Sequence, residues 1–281
     1  MNNAHTFAHM PAHVPITVVH RGGHPELVHQ GSIAVCNAQG ELLAHAGDVT
    51  APMFTRSALK PFQAMPLIAR HADRYRLTPR DTALLCASHN GADEHTEGVT
   101  RLLTRAGASV AHLACGSHVP FLFAATGRVP GANQRFTPLH HNCSGKHTGM
   151  LMLAAAEGWP LAGYLDATHP VQQAIQASVT HFTGVAADAL VMGVDGCSAP
   201  NFAVPLPALA HACARLTLSE PDPVYGDGPH RVATAMAQHP EMVSGQGRSD
   251  LALATAGRGD WVCKVGADGV QTIASRSRRV A

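Results

Sequence analysis

The stretch SALKPFQAMPLIARH, residues 57–71, carries apolar residues at positions 59, 62, 65, 68 and 69. That spacing predicts a helix with one buried face. Pro61 and Pro66 count against it, although Pro61 is compatible if the helix begins near Arg56, because first-turn N–H groups have no intrahelical partner. Its opening residues, Ser57-Ala-Leu-Lys60, form an S-x-x-K. On a helix the residues i and i+3 share a face, so the lysine amine can reach the serine hydroxyl. A neutral lysine there could take the proton of a serine nucleophile. By itself the motif is common and usually marks an exposed face.

Around this helix the chain divides by pattern. Upstream, PITVVHR (15–21), GSIAVCN (31–37) and ELLAHAG (41–47) read as strands. Downstream come helical segments at 78–88, 93–107, 146–158, 169–182, 206–216 and 229–239. Between the second and third of these lies a Gly- and Pro-rich stretch, 116–142, of the length that builds sites. WVCKVGA (261–267) and GVQTIASR (269–276) return to strand. Strands, then helices, then strands predict an α+β fold. In it, one antiparallel sheet is built from both ends of the chain, with a large helical insertion packed on it. Residues 1–12 read as a loose tail and 13–281 as a single domain.

Bulk properties exclude several classes. The chain has 281 residues, 46% hydrophobic, and a net charge of +1, with Lys and Arg scattered. Neither nucleic acid nor a membrane surface is implied, and no apolar run is long enough to span a bilayer. The N-terminus has neither the basic nor the apolar region of a secretion signal. Seven cysteines without a CxxC pair suit free thiols in a reducing compartment, so a cytoplasmic protein is expected.

Two further elements agree with the first. Ser88-His89-Asn90 ends the next predicted helix, and Lys264-Val265-Gly266 lies on a late strand. S-x-x-K, then S-x-N, then K-x-G is the order found in penicillin-binding proteins and class A β-lactamases. In such a site Ser57 attacks a carbonyl and backbone N–H groups hold the oxyanion. Lys264 is expected near Ser88 as a second Ser–Lys pair. Two lysines so close would lower each other's pKa, which makes a neutral base plausible.

HHNCSGKHTGMLML (140–153) admits more than one reading. It is no phosphate loop, since His147 follows Gly145-Lys146 and the earlier glycine is absent. Cys143, near a helix N-terminus with histidines at hand, could be a nucleophile. It could instead be a metal ligand, though no C-x-x-C spacing supports one, or a buried thiol at a helix start. A metal would need a distant partner, of which Cys197 in GVDGCSAPN (193–201) is the best candidate.

Taken together, RSALKPFQAMPL (56–67), ASHNGADEHTEGV (87–99), HNCSGKHTGML (141–151), GVDGCSAPNFAVPL (193–206) and KVGADGVQTIASR (264–276) resemble the L-asparaginase II family of the Rhizobium etli type. The resemblance implies a fold similar to serine β-lactamases and glutaminases. It implies Ser57 as nucleophile, Lys60 as base, and Ser88 with Lys264 as the assisting pair. His89, Asn90, Asp195 and Gly266 would stand around them. Cys143, Lys146 and Cys197 would bind Zn²⁺ in a supporting role. The activity implied is hydrolysis of L-asparagine to L-aspartate and ammonia, by a homodimer. Family members usually continue past SRSRRVA (275–281), so a C-terminal strand and helix are expected to be missing, with a loss of stability. Two alternatives remain: a penicillin-recognising hydrolase, separable by a nitrocefin assay, and an inactive zinc-binding relative.

Overall fold

A computed structural model describes residues 11–281; the expected tail over 1–12 falls mostly outside them. The described residues open with two hairpins. β1 (Val14–Arg21) and β2 (His24–Gly31) pair antiparallel around Gly22-Gly23. Both glycines sit at positive φ, 55° and 84°, which is what a two-residue hairpin turn of the right twist requires. β3 (Ile33–Cys36) and β4 (Leu42–Ala46) form the second hairpin. In its turn, Asn37 Oδ1 accepts from the N–H groups of Gln39 and Glu41.

β5 (Met53–Phe54) then leads through a 3₁₀ turn, Arg56–Leu59, into α1 (Lys60–His71). The helical body follows as α2 (Pro79–Leu85), α3 (Asp93–Arg105), α4 (Phe121–Thr126), α5 (Ser144–Glu157) and α6 (Pro170–Thr183). After β6 (Val191–Val194) and β7 (Pro200–Val204) come α7 (Leu206–Arg215), α8 (Gly228–Gln238), α9 (Pro240–Val243) and α10 (Ser249–Ala256). β8 (Trp261–Val265) and β9 (Gln271–Ser275) close the chain.

Helix α5 is the axis of the core. Every residue from Ser144 to Ala154 is buried, so apart from Lys146 and His147 its sequence shows small and apolar residues on all sides rather than one stripe. Gly145 lets it press against α2: a Cβ there would fall 2.1 Å from the Leu84 carbonyl oxygen. Around it α1 and α6 pack through Phe62 and Phe182, whose ring centroids are 5.2 Å apart.

The fold is α+β, but the strands do not form the single sheet expected. Among the described residues they make four small antiparallel sheets: β1-β2, β3-β4, β5-β7-β6 and β8-β9. The two ends of the chain do meet, through Val280, which bridges to Asn37 on one side and Ser275 on the other. Cys36 and Ala281 exchange backbone hydrogen bonds of 2.8 and 3.0 Å beside it. One residue on each side is too little pairing to merge the hairpins into a continuous sheet. The first hairpin is almost uncovered, with Ile16, Val18, Val19, Leu27 and Val28 exposed.

Candidate active site

Ser57 is placed by β5 and β7. Thr55 bonds to the Phe202 carbonyl through both its N–H (3.2 Å) and its hydroxyl (2.9 Å). Arg56 then turns the chain at φ 49°, a costly conformation for a side chain of that size. Asn201 holds this strained residue at two points. Its Oδ1 accepts from Arg56 N–H at 3.1 Å and its Nδ2 donates to the Arg56 carbonyl at 3.2 Å. The chain enters the 3₁₀ turn with Ser57 buried, and Lys60 follows as the first residue of α1. In a 3₁₀ turn, residues i and i+3 lie above one another. The S-x-x-K pair therefore shares a face, although Ser57 stands just ahead of the α-helix.

Lys60 is fully buried, and its Nζ donates to the carbonyls of Ala87 (2.6 Å) and Asn142 (3.4 Å). This ties α1 directly to the S-x-N element. Ser88 is fixed by its N–H to the Val243 carbonyl (2.8 Å), and its Oγ accepts from Asn142 Nδ2 (2.9 Å). Lys264, also buried, donates to its neighbour's carbonyl at 2.9 Å and pairs with Asp250 Oδ2 at 3.4 Å. Burial above all, with the charge of Lys60 adding to it, brings the Lys264 pKa down to about 8 against the pull of Asp250. Lys60 thus reaches the S-x-N element through the Ala87 carbonyl, and its charge is felt at Lys264. Neither amine, however, hydrogen-bonds a serine hydroxyl; both are anchored on carbonyl oxygens, and Lys264 also on Asp250.

The accompanying residues have mainly architectural partners. His89 Nε2 lies 2.9 Å from Ser144 Oγ while its Nδ1 accepts from Gly91 N–H, joining the end of α2 to the start of α5. Burial, then the stacked His95 ring at 4.8 Å, holds His89 well below its usual pKa, so it is a neutral brace. Asn90 is likewise engaged, donating to the Gln246 carbonyl and accepting from Ala92 N–H. Gly266 lets β8 approach β5, since a Cβ there would lie 2.8 Å from the Thr55 carbonyl oxygen.

A second buried group lies beside the first. Lys146 Nζ donates to Cys197 Sγ at 3.0 Å. Cys143 is held well below the usual thiol range, by its hydrogen bond to Cys197 first, then by Lys60 and Lys146, against burial. Burial pulls Lys146 down, but the two sulfurs more than offset it and its pKa is raised. Asp195 reaches this group from the other side and bonds Arg56 Nε at 2.9 Å. Burial raises its pKa, but Lys146 and Arg56 outweigh that and keep its carboxyl below the usual range. His147 Nδ1 meets Tyr164 Oη at 2.6 Å, and among the described residues its buried Nε2 has no hydrogen-bond partner. Among the described residues no three His, Cys, Asp or Glu side chains are grouped closely enough to hold a metal. A metal at the two sulfurs would therefore need the Lys146 amine as its third donor, as the resemblance implied.

Sequence reasoning passed over Arg56, Asn142, Asn201 and Asp250. The first three lie inside the distinctive stretches, but nothing in their spacing announced a strained turn, a serine tether or a two-point clamp. Arg56 also bonds Asp268, and it lines a cleft of about 830 Å³ together with Phe54, Asp195, Asn201 and Gln271. Ser57, Lys60, Ser88 and Lys264 are not among the residues that line that cleft.

A profile of the L-asparaginase II family matches residues 17–281, nearly the whole chain. The chain belongs to the L-asparaginase II family. Membership supports an amidohydrolase activity of the asparaginase kind, acting on a small molecule. A comparison with curated proteins found no match. Among the described residues of this asparaginase II chain, no helix is long and apolar enough to cross a membrane.

Proposed function

We propose that this asparaginase II chain hydrolyses L-asparagine to L-aspartate and ammonia through an acyl-enzyme on Ser57. The observation that carries the reading is the contact of Lys60 Nζ with the Ala87 carbonyl, 2.6 Å, which joins S-x-x-K to S-x-N in the interior. The arrangement proposed is that of serine β-lactamases and glutaminases, with a helical body beside short sheets.

Ser57 Oγ attacks the side-chain amide carbon and its proton passes to Lys60. Among the described residues the Ser57 N–H has no backbone partner, and it is available to hold the oxyanion. Collapse breaks the C–N bond, and the proton returned by Lys60 leaves with ammonia. Water then attacks the ester, again through Lys60, to release aspartate and restore Ser57. Lys264, with its pKa near 8, exchanges protons with this system from the Ser88 side.

Cys143, Lys146 and Cys197 would hold a zinc ion, with Asp195 and His147 beside them. Two soft sulfurs and an amine, all buried, suit that ion. When bound it supplies fixed positive charge next to the site, in support of substrate affinity. All seven cysteines are free and buried, in keeping with a cytoplasmic site of action. A second copy of the chain is the proposed partner, supported by the uncovered apolar hairpin β1–β2, and analytical ultracentrifugation tests it.

The deciding experiment measures ammonia release from L-asparagine by the wild type, Ser57→Ala and Cys143→Ala. Ser57→Ala is expected to abolish turnover, and Cys143→Ala to raise KM with kcat largely kept. Turnover that survives Ser57→Ala removes the nucleophile assignment.

A further inference from the structure

An asparagine bound for attack at its side-chain amide brings an α-carboxylate into a buried site. That charge is costly there without a cation to meet it. Most cations around the site are already engaged. Arg56 is held by Asp195 and Asp268, Lys264 by Asp250, and Lys146 by Cys197. Lys60 is the base of the proposed reaction.

Arg248 is different. Among the described residues its guanidinium makes no hydrogen bond and no ion pair, although its Nε is shut off from solvent. It lies part-buried over the Phe121 ring, 4.8 Å from the centroid, an arrangement that fixes its direction without neutralising it. Asp250, two residues along, is turned to Lys264 instead.

Its place in the fold is as telling. The loop that carries it, between α9 and α10, is fastened to the S-x-N element. Ser88 N–H bonds the Val243 carbonyl at 2.8 Å and Asn90 Nδ2 bonds the Gln246 carbonyl at 3.1 Å. Gly245 lies so close to Asn90 that a Cβ would stand 2.5 Å from its side-chain amide. From the other side Phe121 stacks on His118, whose Nε2 lies 3.1 Å from Asn142 Oδ1. Asn142 in turn holds Ser88 Oγ. Arg248 thus belongs to the wall that joins Ser88 to Lys264.

We infer that Arg248 is the receptor for the α-carboxylate of the amino-acid substrate. This rests on the asparagine-hydrolase reading. The test compares the wild type, Arg248→Gln and Arg248→Lys on L-asparagine and on its α-carboxamide, which lacks the negative charge. For L-asparagine, Arg248→Gln should raise KM about 30-fold or more with kcat little changed, as expected when a charge-assisted contact made equally in ground and transition states is lost. Arg248→Lys should recover part of that loss. On the α-carboxamide the three proteins should be nearly alike. An equal loss on both substrates would make Arg248 a mere brace on Phe121 and overturn the inference, as would an unchanged KM for L-asparagine.

Calorimetric titration of L-asparagine into Ser57→Ala protein, with and without Arg248→Gln, separates the two readings. Binding that is lost with Arg248, in a protein whose wild type releases no ammonia, removes the hydrolase reading and keeps the receptor. No binding by Ser57→Ala protein with Arg248 intact overturns the receptor, and the hydrolase reading then stands or falls on ammonia release by the wild type.

Discussion

Lys146 Nζ donates to Cys197 Sγ at 3.0 Å inside the protein, and Cys197 is the first of the groups that hold the Cys143 thiol below its usual range. An amine and two thiols packed together are a poor apolar core but a good ligand set. Adding zinc to metal-free protein is therefore expected to raise the melting temperature. Saturation at 100 times Kd adds about 2.7 kcal/mol. Cys197→Ser and Lys146→Met should each abolish the shift, and elemental analysis should give about one zinc per chain in the wild type alone. An identical melt with and without zinc would refute the ligand assignment.

Lys264 supplies a test in pH. Facing it are Asp250 from α10, Lys60 from α1, Cys143 at the head of α5, and Cys86 at the end of α2. Burial and Lys60 favour the neutral amine, and Asp250 opposes them, leaving a pKa of about 8. If neutral Lys264 assists proton transfer, kcat/KM climbs as pH is raised through about 8. Asp250→Asn removes the carboxylate that favours the charged form, so the rise should move to lower pH. A profile that keeps its midpoint in Asp250→Asn would show that Lys264 does not set it.

Much of this was legible beforehand, and the reasons differ by element. S-x-x-K, S-x-N and K-x-G could be picked out because each is a short run of residue types, local in the chain. Helix ends were clear where Gly107 and Gly158 adopt positive φ just past the last turn. Strand β2 was missed because HPELVHQG is polar and carries a proline, although the Gly22-Gly23 pair ahead of it is a hairpin signal. β6 and β7 escaped because four or five residues give too little alternation. The Arg56 turn, the Asn201 clamp and the Asp250 pair could not be read at all. Each joins residues more than a dozen positions apart or depends on one backbone angle.

Gly145 accounts for part of the HNCSGKHTG stretch without chemistry. A methyl at this position would overlap the Leu84 carbonyl oxygen, a backbone atom of α2 that cannot swing aside. Gly145→Ala should therefore push α5 away from α2 and cost about 2 kcal/mol or more, despite alanine's better helix propensity. Because Cys143 and Lys146 flank it, the zinc-induced shift should shrink as well. A melt equal to that of the wild type would show that α5 and α2 can separate freely.

Asp81 offers a prediction on stability alone. It is buried at the start of α2 and closes a capping box with Thr78. It also pairs with Arg101 at 2.6 Å and Arg105 at 3.1 Å. Burial raises its pKa, yet the Arg101 bond and the Thr78 groups outweigh that and hold it below the usual value. A carboxyl whose folded pKa is depressed stabilises the protein above its unfolded pKa, about 3.9, and loses that contribution as pH falls toward the folded value. Asp81→Asn keeps the shape and an acceptor for Thr78 but removes the charge. With both arginines partly in water, its cost at pH 7 should be about 2 kcal/mol. Denaturant unfolding of the two proteins should show that gap intact above about pH 5 and closing as the wild type is taken below pH 4. A gap that stays constant down to pH 3 would assign the loss to packing and leave the ion pairs without a part in it.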